Sequence, residues 1–197
     1  DSPAAFVTWA APTVTTLSVT NGPAFNPGTT NLTGTNFPPT GTPVVLHWSA
    51  ATPIFAGGTS TTFDQFTTVS VGGAAGAINN VAIPVATTCA TTAANLSVEF
   101  GNPNAAGCVI AAPQFTYNAP TATLAAATTV DAIGPVAIAA ATLTGTNLPP
   151  NANVTVRFVA ATGTPFEGGS SAAAETLGVV NATGTGIAIA NVPGMAL

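Results

Sequence analysis

The stretch NLTGTNFPPTGTPVVLHWSAATPIFAGG, residues 31–58, holds together the signals that settle the fold class. In its second half Val44, Leu46 and Trp48 alternate with Val45 and His47. One face is therefore apolar, with the two-residue period of a half-buried β-strand. Its first half crowds glycine, proline and asparagine into NFPPTGTP, the residues that supply turn conformations. The whole stretch then returns as TLTGTNLPPNANVTVRFVAATGTPFEGG at 142–169, with the leucines of the shared LTGTN 111 residues apart.

Working outward, the same alternation recurs in Leu96, Val98 and Phe100 against Ser97 and Glu99, and in Val154, Val156 and Phe158 against Thr155 and Arg157. Turn formers punctuate the chain as NGP, NPGTT, VGGAAGA and GNPNAAG, and no helical period persists for a dozen residues. The pattern predicts an all-β protein of sandwiched sheets. Two more blocks repeat in the same order. GAINNVAIP (76–84) returns as GIAIANVP (186–193), its closing prolines 109 apart, and FVTWAAPTVT (6–15) returns as QFTYNAPTAT (114–123), its prolines 108 apart. A period of this length is one immunoglobulin-sized sandwich, roughly 100 residues. The expected organisation is a sandwich over 12–119, a second over 120–197, and a donor-type strand at 1–11.

Charged residues make up only 4% of the 197, against about 25% in an average soluble domain. With Arg157 as its single cation and no lysine, the chain lacks the basic surface that neutralises phosphates, so nucleic acid is not an expected partner. No apolar run reaches the roughly 20 residues of a membrane span. Hydroxyl and amide side chains hydrate such a surface without charges, which suits an extracellular, cell-surface protein. Four sequons, at Asn31, Asn95, Asn153 and Asn181, are candidate N-glycosylation sites there, and surface glycans are candidate partners.

The groups that carry chemistry are few: His47, Arg157, Asp1, Asp64, Glu99, Asp131, Glu167 and Glu175. They look scattered, and no calcium-loop spacing or nucleophile elbow appears among them, so no catalytic residue, metal or cofactor is expected. His47 and Arg157 align in the two copies as outward strand positions. Cys89 and Cys108 suit a disulfide in an oxidising compartment, or else two inert buried thiols. Trp48, Phe100 and Phe158 belong to the core by their alternation, whereas Trp9 has no core of its own to enter.

A proline-led first strand, then LTGTNF, LSVEF and a closing FTYNAP resemble the IPT/TIG type of immunoglobulin-like domain. The resemblance covers 12–119 fully and 120–197 in part. It implies spacer, docking or partner-binding roles and no catalysis.

The second copy ends opposite residue 88 of the first, so counterparts of NLSVEF and VIAAPQFTY are missing from it. Residues 1–11 resemble that second missing strand. The expectation is donor-strand complementation, in which Phe6, Val7, Thr8, Trp9 and Ala10 of one copy complete the second sandwich of a neighbour, head to tail. The function expected is a structural subunit of a pilus-like filament or adhesive fibre, a homopolymer. Two alternatives stand beside it: a window of a longer repeat-containing adhesin or receptor, whose modules act as spacers or bind ligands, and a self-contained pair of domains.

Overall fold

A computed structural model describes residues 10–101, 108–124, 141–166 and 170–194. Every regular element described is a β-strand, and the chain divides into two compact units whose main boundary falls between Asn118 and Ala119, with Pro23–Asn26 grouped with the second.

The first unit contains β1 (Thr13–Leu17), β2 (Asn21–Pro23), β3 (Thr29–Thr35), β4 (Pro43–Ala50), β5 (Thr62–Thr68), β6 (Gly76–Ala82), β7 (Thr92–Phe100) and β8 (Cys108–Asn118). They form two sheets, ordered β1-β3-β6 and β2-β8-β7-β4-β5. The alternation in the sequence becomes the core. Val44, Leu46 and Trp48 of β4 and Leu96, Val98 and Phe100 of β7 are all buried, as are Phe115 and Tyr117 of β8 and, from the other sheet, Leu32, Ile78 and Val81. Phe37, which follows β3, packs against Phe100 with the rings tilted and their centroids 4.9 Å apart, so the two sheets enclose one apolar interior as in a β-sandwich.

The LTGTN motif has a physical reason at each of two positions. A Cβ on Gly34 would lie 1.8 Å from the Thr13 carbonyl oxygen and 2.6 Å from the Phe37 ring, so only glycine lets β1, β3 and Phe37 approach this closely. Asn36 takes a left-handed conformation, φ 56°, which asparagine tolerates better than most residues. Its Nδ2 donates to the Ala11 carbonyl at 3.2 Å, which fixes the chain's entry into β1.

The second unit repeats these details. It contains β9 (Thr121–Leu124), β10 (Ala141–Thr146), β11 (Asn153–Val159), β12 (Ala173–Val180) and β13 (Gly186–Ile189). Asn147 has φ 56° and donates to the Ala119 carbonyl at 3.0 Å. A Cβ on Gly145 would lie 2.4 Å from the Thr121 oxygen. The Thr13–Thr35 hydroxyl pair at 2.8 Å has its counterpart in Thr121–Thr146 at 2.8 Å. The isolated bridge Phe55–Ser60 likewise has its counterpart in Phe166–Ser171. By these equivalences β9, β10, β11, β12 and β13 answer to β1, β3, β4, β5 and β6.

The layering differs from the expected second sandwich. The five strands form one continuous sheet, ordered β11-β12-β13-β10-β9, because β12 pairs directly with β13 through Gly178–Ile189 and Val180–Ile187. In the first unit the corresponding β5 and β6 lie in separate sheets, and β7 and β8 extend the layer that holds β4. No counterparts of β7 and β8 occur among the described residues of the second unit, so nothing there builds β11 into a second layer.

Candidate assembly edge

In the first unit β4 is a central strand, hydrogen-bonded to β5 on one side and to β7 on the other. Its counterpart β11 pairs with β12 through seven consecutive residue pairs, Asn153–Val179 to Val159–Ala173. On its other side it has no strand partner among the described residues. That edge presents a row of backbone N–H and C=O groups.

The side chains tell the same story. Val44, Leu46 and Trp48 are 1%, 0% and 0% exposed, whereas their counterparts Val154, Val156 and Phe158 are only partly buried. These three pack at the margin of a small core of Leu148, Val180, Ile187 and Ile189. What closes the first interior is the set Leu96, Val98, Phe100, Phe115 and Tyr117, all from β7 and β8. Tyr117 is wholly buried and donates its hydroxyl to the Pro84 carbonyl at 2.7 Å. Burial pushes its phenol above the ordinary tyrosine range.

On the outer face of β4 the structure corrects the sequence reading. Two of the seemingly scattered acids converge on His47. Its Nδ1 lies 2.8 Å from Asp64 Oδ1 on β5, and its Nε2 lies 3.1 Å from Glu99 Oε2 on β7. One imidazole thus ties three adjacent strands. Burial pulls the histidine pKa down, but the hydrogen bonds and charges of Asp64 and Glu99 outweigh it, and the net pKa is raised above 6.5. In the second unit Arg157 stands directly opposite Glu175, Nε to Oε1 4.0 Å. The Glu99 position has no described counterpart there. The repeat carries His47 onto Arg157 at 110 residues and Asp64 onto Glu175 at 111, which hints at a cross-strand pair in each copy but not at Glu99.

The disulfide expected between Cys89 and Cys108 is not made within the chain. Cys89 is free and exposed. The register pairs Phe100 with Cys108 and Thr92 with Tyr117, so Cys89 and Cys108 lie at opposite ends of the nine-residue β7. A strand of that length spans roughly 30 Å, far beyond the roughly 7 Å limit between bridged Cα atoms. Of the proposed donor strand, Phe6, Val7, Thr8 and Trp9 lie outside the described residues, and Ala10 is exposed and irregular. Among the sequons, Asn95, Asn153 and Asn181 are exposed, on β7, on β11 and in the turn before β13, and Asn31 on β3 is half-buried. The Asn181 carboxamide oxygen accepts from the Thr185 backbone N–H at 2.9 Å, which shapes that turn.

Among the described residues no group of three or more histidine, cysteine or acidic side chains is placed to hold a metal, and no helix is long and apolar enough to cross a membrane. In comparisons with protein-family models, curated proteins and solved structures, nothing matches this chain.

Proposed function

We propose that this chain is a structural subunit of an extracellular, pilus-like filament or adhesive fibre. Copies join head to tail by donor-strand complementation, residues 6–10 of one completing the second unit of the next. One observation carries the reading. β11 keeps the apolar inner face of a central strand, yet among the described residues its far edge is open, and Val154, Val156 and Phe158 are only partly buried where Val44, Leu46 and Trp48 are buried. A strand laid along that edge would satisfy the backbone row and bury the three side chains together. The N-terminal segment is the candidate occupant because it repeats the sequence of β8, which in the first unit lies one strand beyond the β7 that pairs with β4.

On this reading both units are immunoglobulin-like and of IPT/TIG type, the second becoming a full sandwich only in the fibre. The role is mechanical rather than catalytic. Glycans at Asn31, Asn95, Asn153 and Asn181 would keep a charge-poor fibre soluble. A head-to-tail contact joins two different surfaces and therefore propagates unless its rotation closes a ring.

The test is deletion of residues 1–11, with negative-stain imaging and thermal unfolding side by side. Fibres from the intact chain, none after deletion, and a first unfolding transition lowered by no more than the lost Asn36–Ala11 hydrogen bond, about 1 kcal/mol, are expected. Fibres that survive the deletion reject donor exchange. Dispersed particles that bind glycans, from the intact chain, would instead favour a spacer or ligand-binding module of a repeat-containing cell-surface adhesin or receptor.

A further inference from the structure

The four sequons stand in unequal surroundings. Asn31 is half-buried, and its Oδ1 accepts from the Asn80 backbone N–H at 2.8 Å. Asn95 lies on β7, between β4 and β8, and its Oδ1 accepts from Gln114 Nε2. Asn181 is tied to its own sequon threonine. Its Oδ1 accepts from the Thr183 hydroxyl at 3.1 Å and from the Thr185 N–H, and its Nδ2 donates to Thr185 Oγ1. Asn153 differs from all three. It opens β11, and both it and Thr155 are exposed, with no hydrogen-bond partner for either side chain among the described residues. A spacing of two puts carboxamide and hydroxyl on one face of the strand. That face is the outer one, since Val154, Val156 and Phe158 pack inward.

The neighbouring strand adds an independent observation. Asn153 stands opposite Val179, and Thr155 opposite Leu177. Both apolar side chains face solvent, Val179 50% and Leu177 72% exposed. Cβ atoms directly opposite on an antiparallel pair are about 5 Å apart, so a sugar joined to Asn153 begins beside Val179. Leu177 also lines an open groove of about 520 Å³, with Thr155, Glu175, Thr176, Ala190 and Asn191. The mixture suits a sugar ring, whose C–H faces lie on aliphatic side chains while its hydroxyls bond to carboxylate, hydroxyl and amide groups. The first unit lacks the arrangement. There the register places Pro43, Val45 and Thr68 where the second unit has Asn153, Thr155 and Val179, so the sequon and the valine it faces occur together in the second unit alone.

We infer, on the extracellular reading above and independently of donor exchange, that Asn153 carries an N-linked glycan whose first sugars lie over Val179 and Leu177. The donor is a lipid-linked oligosaccharide diphosphate. Asn153 Nδ2 loses one proton and bonds to the anomeric carbon, the carbon–oxygen bond to phosphate breaks, and the lipid diphosphate leaves with the electron pair. The attachment point and the apolar patch are on adjacent strands, so the occupant is tethered and no separate partner has to be recruited. Because it projects from the outer face, the glycan covers exposed apolar surface while leaving the inner face of β11 and its free backbone row open to an incoming strand.

The experiment uses the full chain secreted from cells that N-glycosylate, with glycopeptide mass spectrometry after chymotryptic digestion. Asn153 should be occupied, and to a greater fraction than Asn31, Asn95 or Asn181. Asn153→Gln and Thr155→Ala should each remove the mass of one glycan, whereas Thr155→Ser should keep it. An Asn153 that is empty, or less occupied than another sequon, overturns the choice of site. If all four are empty, the glycan part of the reading beneath it falls as well. The packing is tested by the rate at which a peptide amidase releases the Asn153 glycan from folded protein. Release should be several times faster from Leu177→Thr with Val179→Thr than from the parent, and equal from the two chains once denatured. Equal rates from the folded chains overturn the placement over Val179 and Leu177.

Discussion

The two halves of the repeat make an internal control, because the same substitution at equivalent positions should cost different processes. Trp48 is 0% exposed, so Trp48→Ala removes a fully buried ring and should destabilise the first unit by about 3–5 kcal/mol. Phe158 is its counterpart but only partly buried. Full burial of a phenylalanine is worth about 1.5–3 kcal/mol, and Phe158 is already mostly buried, so it contributes about 1–2 kcal/mol to the free subunit. About 0.5 kcal/mol more becomes available when a strand covers it. Phe158→Ala should therefore lower the second unfolding transition less than Trp48→Ala lowers the first, while raising the critical concentration for fibres about two- to threefold. The measurements are calorimetric unfolding of chains lacking residues 1–11, which cannot assemble on this reading, and sedimentation of fibres from full-length chains. A loss of several kcal/mol in the free subunit with no change in critical concentration would refute the reasoning, since it would mean that the second interior is already closed without a partner.

Gly34→Ala drives a methyl group into the Thr13 carbonyl and the Phe37 ring. It should cost the first unit at least about 1–3 kcal/mol in thermal unfolding, and an unchanged transition would contradict the packing described. The His47 link has a defined pH dependence. Because its folded pKa is raised above 6.5, its stabilisation is complete below that value and fades as pH climbs through the folded pKa. For a side chain 33% exposed the effect is about 0.5–1 kcal/mol, and first-unit melting should fall relative to His47→Gln between mildly acid and mildly alkaline pH. Parallel pH profiles would dismiss the link. Cys89 should react with a maleimide in the folded, unreduced protein, and labelling that appears only after a reductant would show that it is bridged to another thiol.

The sequence disclosed the fold wherever a local rule acted alone. Alternation placed Val44, Leu46 and Trp48 inward, and the repeat placed Gly34 with Gly145 and Asn36 with Asn147, because sterics and left-handed backbone act over a few residues. It disclosed less where the outcome depends on which strands are neighbours. Val154, Val156 and Phe158 alternate as cleanly as their counterparts, yet burial requires an opposing layer that no local pattern can report. The convergence of Asp64 and Glu99 on His47 was hidden for the same reason, since β5 and β7 meet β4 from opposite sides. The cysteines misled because distance along the chain does not reveal that an entire strand separates them in space. In the candidate site, the equivalence of β11 with β4 was legible from the repeat, but the merger of β12 and β13 into one sheet was not.

β11 also lacks the features by which an edge strand ordinarily avoids pairing. Edges are protected by prolines, bulges, short length or inward-pointing charges. NVTVRFV has no proline or glycine, and valines and phenylalanine fill its inner positions. Its register with β12 runs through seven pairs without a shift, whereas β3–β6 and β7–β8 both contain one. Its one charge, Arg157, stands on the outer face, where it opposes Glu175 and does nothing to repel an arriving backbone. The composition is that of a central strand, as its counterpart β4 is, and an edge built this way would select for promiscuous aggregation if left without a designated occupant. In a chain with so little charge there is no general repulsion to prevent that. The physical requirement on the molecule is thus a partner that arrives faster and fits better than a random strand; on the donor-strand reading that partner is a segment carried by every copy, present at the same concentration as the edge and repeating the sequence of β8.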